Sequence, residues 1–164
     1  MTGIQPRTRR VVVRTGSAAA TRALAARLAE VAEPGDRLAL LGPLGAGKTE
    51  FAKGFAAGLG VTETVNSPSF TLMAEYAGRL ALYHLDLYRL SGAAEAIDGG
   101  LLDEREAEGV TLIEWADRLG AEVDPGRLEV RIAVEDDETR TIEIRAGSAR
   151  QERFLDAAAA GAPA

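Results

Sequence analysis

Apolar residues along this chain follow two patterns, short continuous runs and longer stretches with helical spacing. The β-branched run Val11–Val13 predicts a first strand. Ser17 can cap a helix in which apolar residues recur every three or four positions, and Pro34-Gly35-Asp36 ends that segment. The run Leu38–Leu41 is short and wholly apolar, which is typical of a strand buried on both faces. A strand, a helix and a second strand are therefore expected before the chain reaches Gly42.

The rest of the chain continues this alternation. Apolar residues at i, i+4 and i+8 predict a helix over 48–59. Four further segments are strand-like and pair into two hairpins: 71–76 with 80–87, and 128–134 with 139–144. Residues 110–114 read as another buried strand, and a terminal helix is expected from Ser148. Strands alternating with helices predict an α/β layer architecture with added antiparallel strands.

The domain organisation follows from the absence of internal repeats and long linkers. We expect a disordered, mildly basic leader over 1–9 and a single domain over 10–147. The alanine-rich end, 148–164, is expected to form a C-terminal helix with a frayed tail.

Composition narrows the function classes. The 164 residues contain no cysteine, so a disulfide scaffold is excluded. The sequence has neither an apolar run near the ~20 residues of a membrane-spanning helix nor an apolar secretory segment at its start, so a cytoplasmic location is expected. A net charge of −6 argues against charge-driven binding to nucleic acid, which needs a basic face. The first 90 residues hold 11 basic and 7 acidic side chains, so this half is the more favourable one for an anion.

A glycine-rich loop carries the strongest chemical signal. The segment 42–49 matches G-x-x-x-x-G-K-[ST] in full and lies between a predicted buried strand and a predicted helix. Its glycines let backbone N–H groups converge on phosphate oxygens at the positive end of the helix. Lys48 is expected to reach the β- and γ-phosphates as a catalytic group, and the Thr49 hydroxyl to ligate Mg²⁺. The residues expected to bind the phosphates are Gly42, Leu44, Gly45, Ala46, Gly47, Lys48 and Thr49. The motif predicts a P-loop NTPase-like three-layer fold with a central, mainly parallel sheet.

Two acidic residues at strand ends are candidates for the metal side of such a site. Asp86 and Glu114 each end an apolar run, and carboxylates that hold Mg²⁺ lie at the carboxyl ends of strands near the loop. Strand alternation places His84 and Asp86 on one face. His84, the only histidine, is interpreted as a hydrogen-bonded strand residue in preference to a catalytic one.

Two further features are open to a functional or a structural interpretation. Trp115, the only tryptophan, follows Glu114 and either covers the nucleotide, contacts another protein, or belongs to the core. The proline-containing loop 66–70 includes Ser67 and Ser69. It is either a plain turn or a switch loop that senses a γ-phosphate.

Taken together, these segments resemble a known family. The loop 42–49, the run 67–72, the H-x-D-x-Y-R segment within 83–90 and the I-E-W sequence within 112–115 occur in the order and spacing of the bacterial TsaE (YjeE) family. The resemblance covers roughly residues 17 to 145. The loop alone does not select the family, whereas the H-x-D-x-Y-R run joined to I-E-W is highly specific.

The resemblance implies roles for individual residues. Residues 44–49 would bind the ATP phosphates, and Thr49 and Glu114 would sit at the Mg²⁺. Asp86 would be a catalytic or metal-orienting acid, and Trp115 a residue needed for activity.

The resemblance also implies an activity and partners. The family's members are ATPase subunits in tRNA threonylcarbamoyladenosine biosynthesis. They hydrolyse ATP slowly and are stimulated by the threonylcarbamoyl transferase subunit with its paralogous partner (TsaD and TsaB). Hydrolysis would reset that complex between modification cycles, and direct contact with tRNA would be secondary or absent.

Two other functions remain open from the residues. A small-metabolite or nucleotide kinase needs an acceptor pocket and usually a lid that carries several arginines. The polar segment 91–109 contains a single arginine, Arg105. In a nucleotide-gated binding module, ATP would merely order the loop containing Ser67. A guanine-specific switch is disfavoured because the sequence has no N-K-x-D segment.

Overall fold

The computed structural model describes residues 9–43, 45–65, 73–86, 108–114 and 127–160. The leader before Arg9, the tail after Ala160, Leu44, the loop with Ser67 and Ser69, and Trp115 lie outside the described residues. The predictions made for them are therefore not addressed by the structure.

One mixed sheet organises the described part of the chain. Its seven strands are β1 (Arg10–Thr15), β2 (Arg37–Leu41), β3 (Met73–Tyr76), β4 (Leu82–Asp86), β5 (Val110–Glu114), β6 (Leu128–Val134) and β7 (Arg140–Arg145). Their order across the sheet is β1-β7-β6-β2-β5-β4-β3. The central strands β6, β2, β5 and β4 are parallel, and β1, β7 and β3 are added antiparallel. The predicted α/β fold is confirmed, and so are both predicted hairpins, β3–β4 and β6–β7.

Three α-helices pack against this sheet within the described ranges. They are α1 (Ala18–Glu30), α2 (Lys48–Gly58) and α3 (Glu152–Ala160), and a 3-10 turn (Ala149–Gln151) leads into α3. The predicted cap of α1 is present, because the Ser17 hydroxyl accepts a hydrogen bond from the Ala20 N–H at 3.0 Å. No helix in this part of the chain has the length and apolar content needed to cross a bilayer.

The three described α-helices lie on one face of the sheet. One apolar cluster unites Leu24 of α1, Phe51 and Phe55 of α2 and Phe154 of α3 with alternate strand residues such as Leu40. The intervening strand residues, which face the other way, are also buried: Ala39, Leu41, Leu85 and Ile113. The central strands are therefore buried on both faces, as their continuous apolar runs predict.

Close contact between α1 and α2 sets the position of the glycine-rich loop. A Cβ atom on Gly54 would lie 2.2 Å from the Arg22 carbonyl oxygen, and one on Gly58 would lie 2.5 Å from that of Ala26. Two glycines one turn apart let the helix backbones approach in this way. Because α2 directly follows the glycine-rich loop, this contact also fixes where the loop ends.

Candidate functional site

The loop between β2 and α2 has a backbone that only glycine adopts readily. Gly42, Gly45 and Gly47 have φ angles of +153°, +80° and +113°. A side chain on Gly42 would also approach the Ile132 carbonyl oxygen to 2.6 Å. Gly47 is the N-cap of α2 and has no side chain with which to cap it. The N-terminus of α2 therefore has no side-chain cap, and helix ends of this kind are where anions bind.

Lys48 begins α2 and is almost completely buried. Its ammonium Nζ donates a hydrogen bond to the Gly42 carbonyl oxygen at 2.7 Å, so the side chain folds back across the loop. Thr49, the second residue of the helix, is half-buried. The predicted phosphate-binding residues that the structure describes thus lie together at one helix end.

Asp86 and Glu114 are direct neighbours in the sheet. They are register partners at the carboxyl ends of β4 and β5, and each is 3% exposed. Glu114 is also in register with Leu40 of β2, which lies two residues before the loop begins at Gly42. The carboxyl edge of a parallel sheet is where ligands bind in such folds. Both acids therefore lie at the same edge as the loop.

His84 contacts Glu114 rather than Asp86. Its Nε2 lies 2.7 Å from the Glu114 Oε2, and both side chains are buried. The prediction that His84 and Asp86 share a face is consistent with this contact, because Glu114 is the register partner of Asp86. Sequence reasoning missed the contact to Glu114, because it depends on which strand lies next to β4.

Arg140 is a site residue that sequence reasoning did not find. Its Nε donates to the carbonyl oxygen of Ala46 at 2.8 Å, inside the glycine-rich loop. Its Nη1 donates to the carbonyl oxygens of Asp136 at 2.7 Å and Thr139 at 3.1 Å. The side chain therefore ties the loop to the turn between β6 and β7. Because Ala46 is 94 residues away in sequence, no local pattern could have indicated this contact.

A cavity of about 210 Å³ opens beside the loop. Its walls come from the N-terminal end of α1 at Thr21, from Gly47 and Glu50, and from Asp137 and Arg140 of the β6–β7 hairpin. A second cavity of about 400 Å³ is lined by Pro43 and by the paired side chains of Arg127 and Glu129, 3.9 Å apart. Glu129 is in register with Ala39, so this second cavity belongs to the sheet face opposite the helices. Of these two cavities, the smaller one adjoins the N-terminus of α2.

The fold and this site define an α/β protein in which a glycine-rich loop joins a central strand to a helix, with two carboxylates at neighbouring strand ends. Among the described residues, no group of three or more His, Cys, Asp or Glu side chains forms a metal cluster. A family model described as "Threonylcarbamoyl adenosine biosynthesis protein TsaE" matches residues 15–142. This chain belongs to the TsaE family.

Similar proteins agree with this assignment. The chain is 45% identical over 144 residues to the tRNA threonylcarbamoyladenosine biosynthesis protein TsaE of Bacillus subtilis, covering 87% of this chain and 90% of that protein. It is 42% identical over 112 residues to the protein of the same name from Treponema pallidum, covering 68% of this chain and 83% of that protein. The crystal structure of Bacillus subtilis YdiB superposes with a TM-score of 0.75 at 37% identity, covering 95% of this chain and 98% of that one.

Proposed function

We propose that this protein binds Mg²⁺–ATP at the glycine-rich loop and hydrolyses it slowly in support of tRNA threonylcarbamoyladenosine biosynthesis. The placement of Asp86 and Glu114, in register at the sheet edge from which the loop emerges, carries the proposal. The biosynthetic role is supported by the relatives from Bacillus subtilis and Treponema pallidum, which are tRNA threonylcarbamoyladenosine biosynthesis proteins.

The residues present suit a nucleotide phosphate. Positive φ angles at Gly45 and Gly47 turn the loop backbone, and the start of α2, which has no side-chain cap, presents the positive end of the helix dipole. Lys48 adds an ammonium close to the loop backbone. We assign the triphosphate to the glycine-rich loop and the remainder of the nucleotide to the 210 Å³ cavity, where Glu50 and Arg140 offer polar contacts.

The Thr49 hydroxyl and the carboxylates of Asp86 and Glu114 would hold or orient Mg²⁺, because Mg²⁺ prefers oxygen ligands. When bound, the ion would neutralise part of the negative charge of the phosphates. Lys48 would stabilise the same negative charge, and the glycine-rich loop would position the phosphates. Little covalent chemistry is left to the protein, so catalysis would come from positioning and electrostatics. The sequence places no obvious arginine finger, so we expect slow turnover of the protein alone and stimulation by a partner.

We further propose that the partners are the threonylcarbamoyl transferase subunit and its paralogue, and that hydrolysis resets their complex between cycles. The family membership supports this role. An acidic protein of net charge −6 is suited to acting through protein partners more than through direct contact with tRNA.

A binding and turnover assay tests the proposal. The fluorescence of the single tryptophan is followed during titration with ATP or GTP, each with and without Mg²⁺, beside an assay of ADP release. We expect a Mg²⁺-dependent response that is selective for ATP, slow turnover, and faster turnover when the two transferase subunits are added. Absence of both binding and turnover, alone and with the subunits, would overturn the proposal.

Two variants assign the roles. Thr49→Ala should weaken Mg²⁺–ATP binding and abolish turnover, whereas Thr62→Ala makes the same change at an exposed position and should do neither. Glu114→Gln should reduce turnover far more than affinity. Glu75→Gln is its control, because Glu75 is an exposed strand residue of the same sheet. Acceleration of ADP release by a small hydroxyl or amine acceptor would instead favour a kinase.

A further inference from the structure

His84 is a fully buried polar residue to which the proposed mechanism gives no role. It occupies the centre of β4 and is 0% exposed. Its register partners are Ala74 of β3 and Leu112 of β5, and Leu112 is in turn in register with Leu38 of β2. These three register neighbours are all apolar, so an apolar side chain would be expected at position 84. An imidazole here costs desolvation free energy unless a hydrogen bond offsets it.

The hydrogen bond that His84 makes is directed at one atom of the proposed metal site. The Nε2 atom lies 2.7 Å from the Glu114 Oε2, while the Nδ1 atom is buried without a hydrogen-bond partner among the described residues. An ionised carboxylate only accepts hydrogen bonds. We therefore assign a proton to Nε2, which donates to the Glu114 carboxylate.

We propose that His84 is a positioning residue for Glu114. Its Nε2–H holds the carboxylate through Oε2 and leaves Oε1 for the metal-orienting role, so the inference rests on the proposed function. Side chains that orient a metal's ligands in this way contribute about 10- to 100-fold to affinity or activity. A buried strand of the sheet supports the imidazole, so the orientation of Glu114 is set before nucleotide binds.

The tautomer can be measured without any assay of activity. His84 is the only histidine of the chain, so the imidazole nitrogen signals of the ¹⁵N-labelled protein need no assignment by mutation. We expect a protonated Nε2 in the nucleotide-free protein. The Nε2 proton should exchange slowly with water, and its signal should broaden or disappear in Glu114→Ala. A bare Nε2 would overturn the inference.

Three substitutions at His84 test positioning against packing. The amide nitrogen of glutamine can stand near the place of Nε2, whereas that of asparagine falls short of it and leucine has no donor. We expect His84→Gln to retain turnover within a few-fold of the unmodified protein, and His84→Asn and His84→Leu to lose about 10- to 100-fold. The affinity for Mg²⁺–ADP should change much less than turnover in all three.

Leu82→Val is the matched control. Leu82 is fully buried two residues earlier on the same face of β4, but its register partner is Val110 and not Glu114. This variant should lower the thermal midpoint and leave turnover unchanged. Equal loss of turnover in His84→Gln and His84→Asn, at similar thermal midpoints, would show that the imidazole only fills space.

The experiments separate failure of this inference from failure of the proposed function. If the unmodified protein neither binds nor hydrolyses Mg²⁺–ATP, the proposed function fails whatever the NMR spectrum shows. If it hydrolyses Mg²⁺–ATP while His84→Asn and His84→Leu match it, only the positioning role fails.

Discussion

Lys48 donates a hydrogen bond from its Nζ to the carbonyl oxygen of Gly42, 2.7 Å away. The side chain thereby connects the end of the glycine-rich loop to its first residue. The ammonium is thus held at the loop before any anion arrives. Because the side chain is almost completely buried, little conformational entropy remains to be lost when a phosphate binds.

This arrangement predicts a large effect of removing the charge. Lys48→Met should weaken Mg²⁺–ATP binding by about 10- to 100-fold, the equivalent of a charge-assisted hydrogen bond of about 1.5–3 kcal/mol. Isothermal titration measures the affinity. Lys53→Met is a matched control, because Lys53 is the only other lysine and projects from the same helix with 40% of its side chain exposed. Equal losses in both variants would contradict a specific role for Lys48.

Arg140 braces the loop by donating to three backbone carbonyl oxygens, so a change to lysine should loosen it. An ammonium cannot reproduce the fixed fork of donors that reaches Ala46, Asp136 and Thr139 together. Arg140→Lys should weaken nucleotide binding by about 3- to 10-fold, since each lost hydrogen bond is worth about 1 kcal/mol. Arg145→Lys, on the same strand but 45% exposed and paired with Glu143, should leave affinity unchanged.

The contact of α1 with α2 predicts that Gly54 tolerates no side chain. Alanine would favour the helix by about 1 kcal/mol at an exposed site. Here its Cβ would meet the Arg22 backbone at 2.2 Å, so we expect a net loss of about 1–3 kcal/mol. The midpoint of urea unfolding measures it. Gly16→Ala is the control, because a Cβ there meets nothing within 4 Å. A more stable Gly54→Ala would show that the helices are further apart.

Asp136 gives the β6–β7 turn a dependence on pH. Backbone hydrogen bonds from Thr139 and Glu138 hold the pKa of its carboxyl below the ordinary value of 3.8. A carboxyl with a lowered folded-state pKa stabilises the fold above its ordinary pKa, and this contribution disappears as the pH falls through the lowered value. The stability difference between the unmodified protein and Asp136→Asn should therefore be largest near neutral pH and shrink below about 3.8. Urea unfolding across pH measures it, with Asp137→Asn as the control.

Several features of the fold could be predicted because they depend on neighbouring residues. The cap at Ser17, the helix that begins at Lys48 and the two hairpins follow from side-chain periodicity and turn chemistry, which operate within a few positions. The predicted side-chain alternation in β4 is likewise consistent with the contact of His84 with Glu114, the register partner of Asp86. The roles predicted for Leu44, Ser67, Ser69 and Trp115 stay predictions.

By itself, the sequence determined the local elements, the order of strands and helices along the chain, and the eight-residue loop with its family resemblance. Tertiary structure alone decided that β5 lies between β2 and β4, which makes Asp86 and Glu114 neighbours. It also decided that His84 contacts Glu114 across 30 residues and that Arg140 contacts Ala46 across 94. Periodicity and turn chemistry act over a few residues, whereas strand order depends on how all the buried faces pack together. The placement of the site's side chains against one another belongs to that second, non-local level.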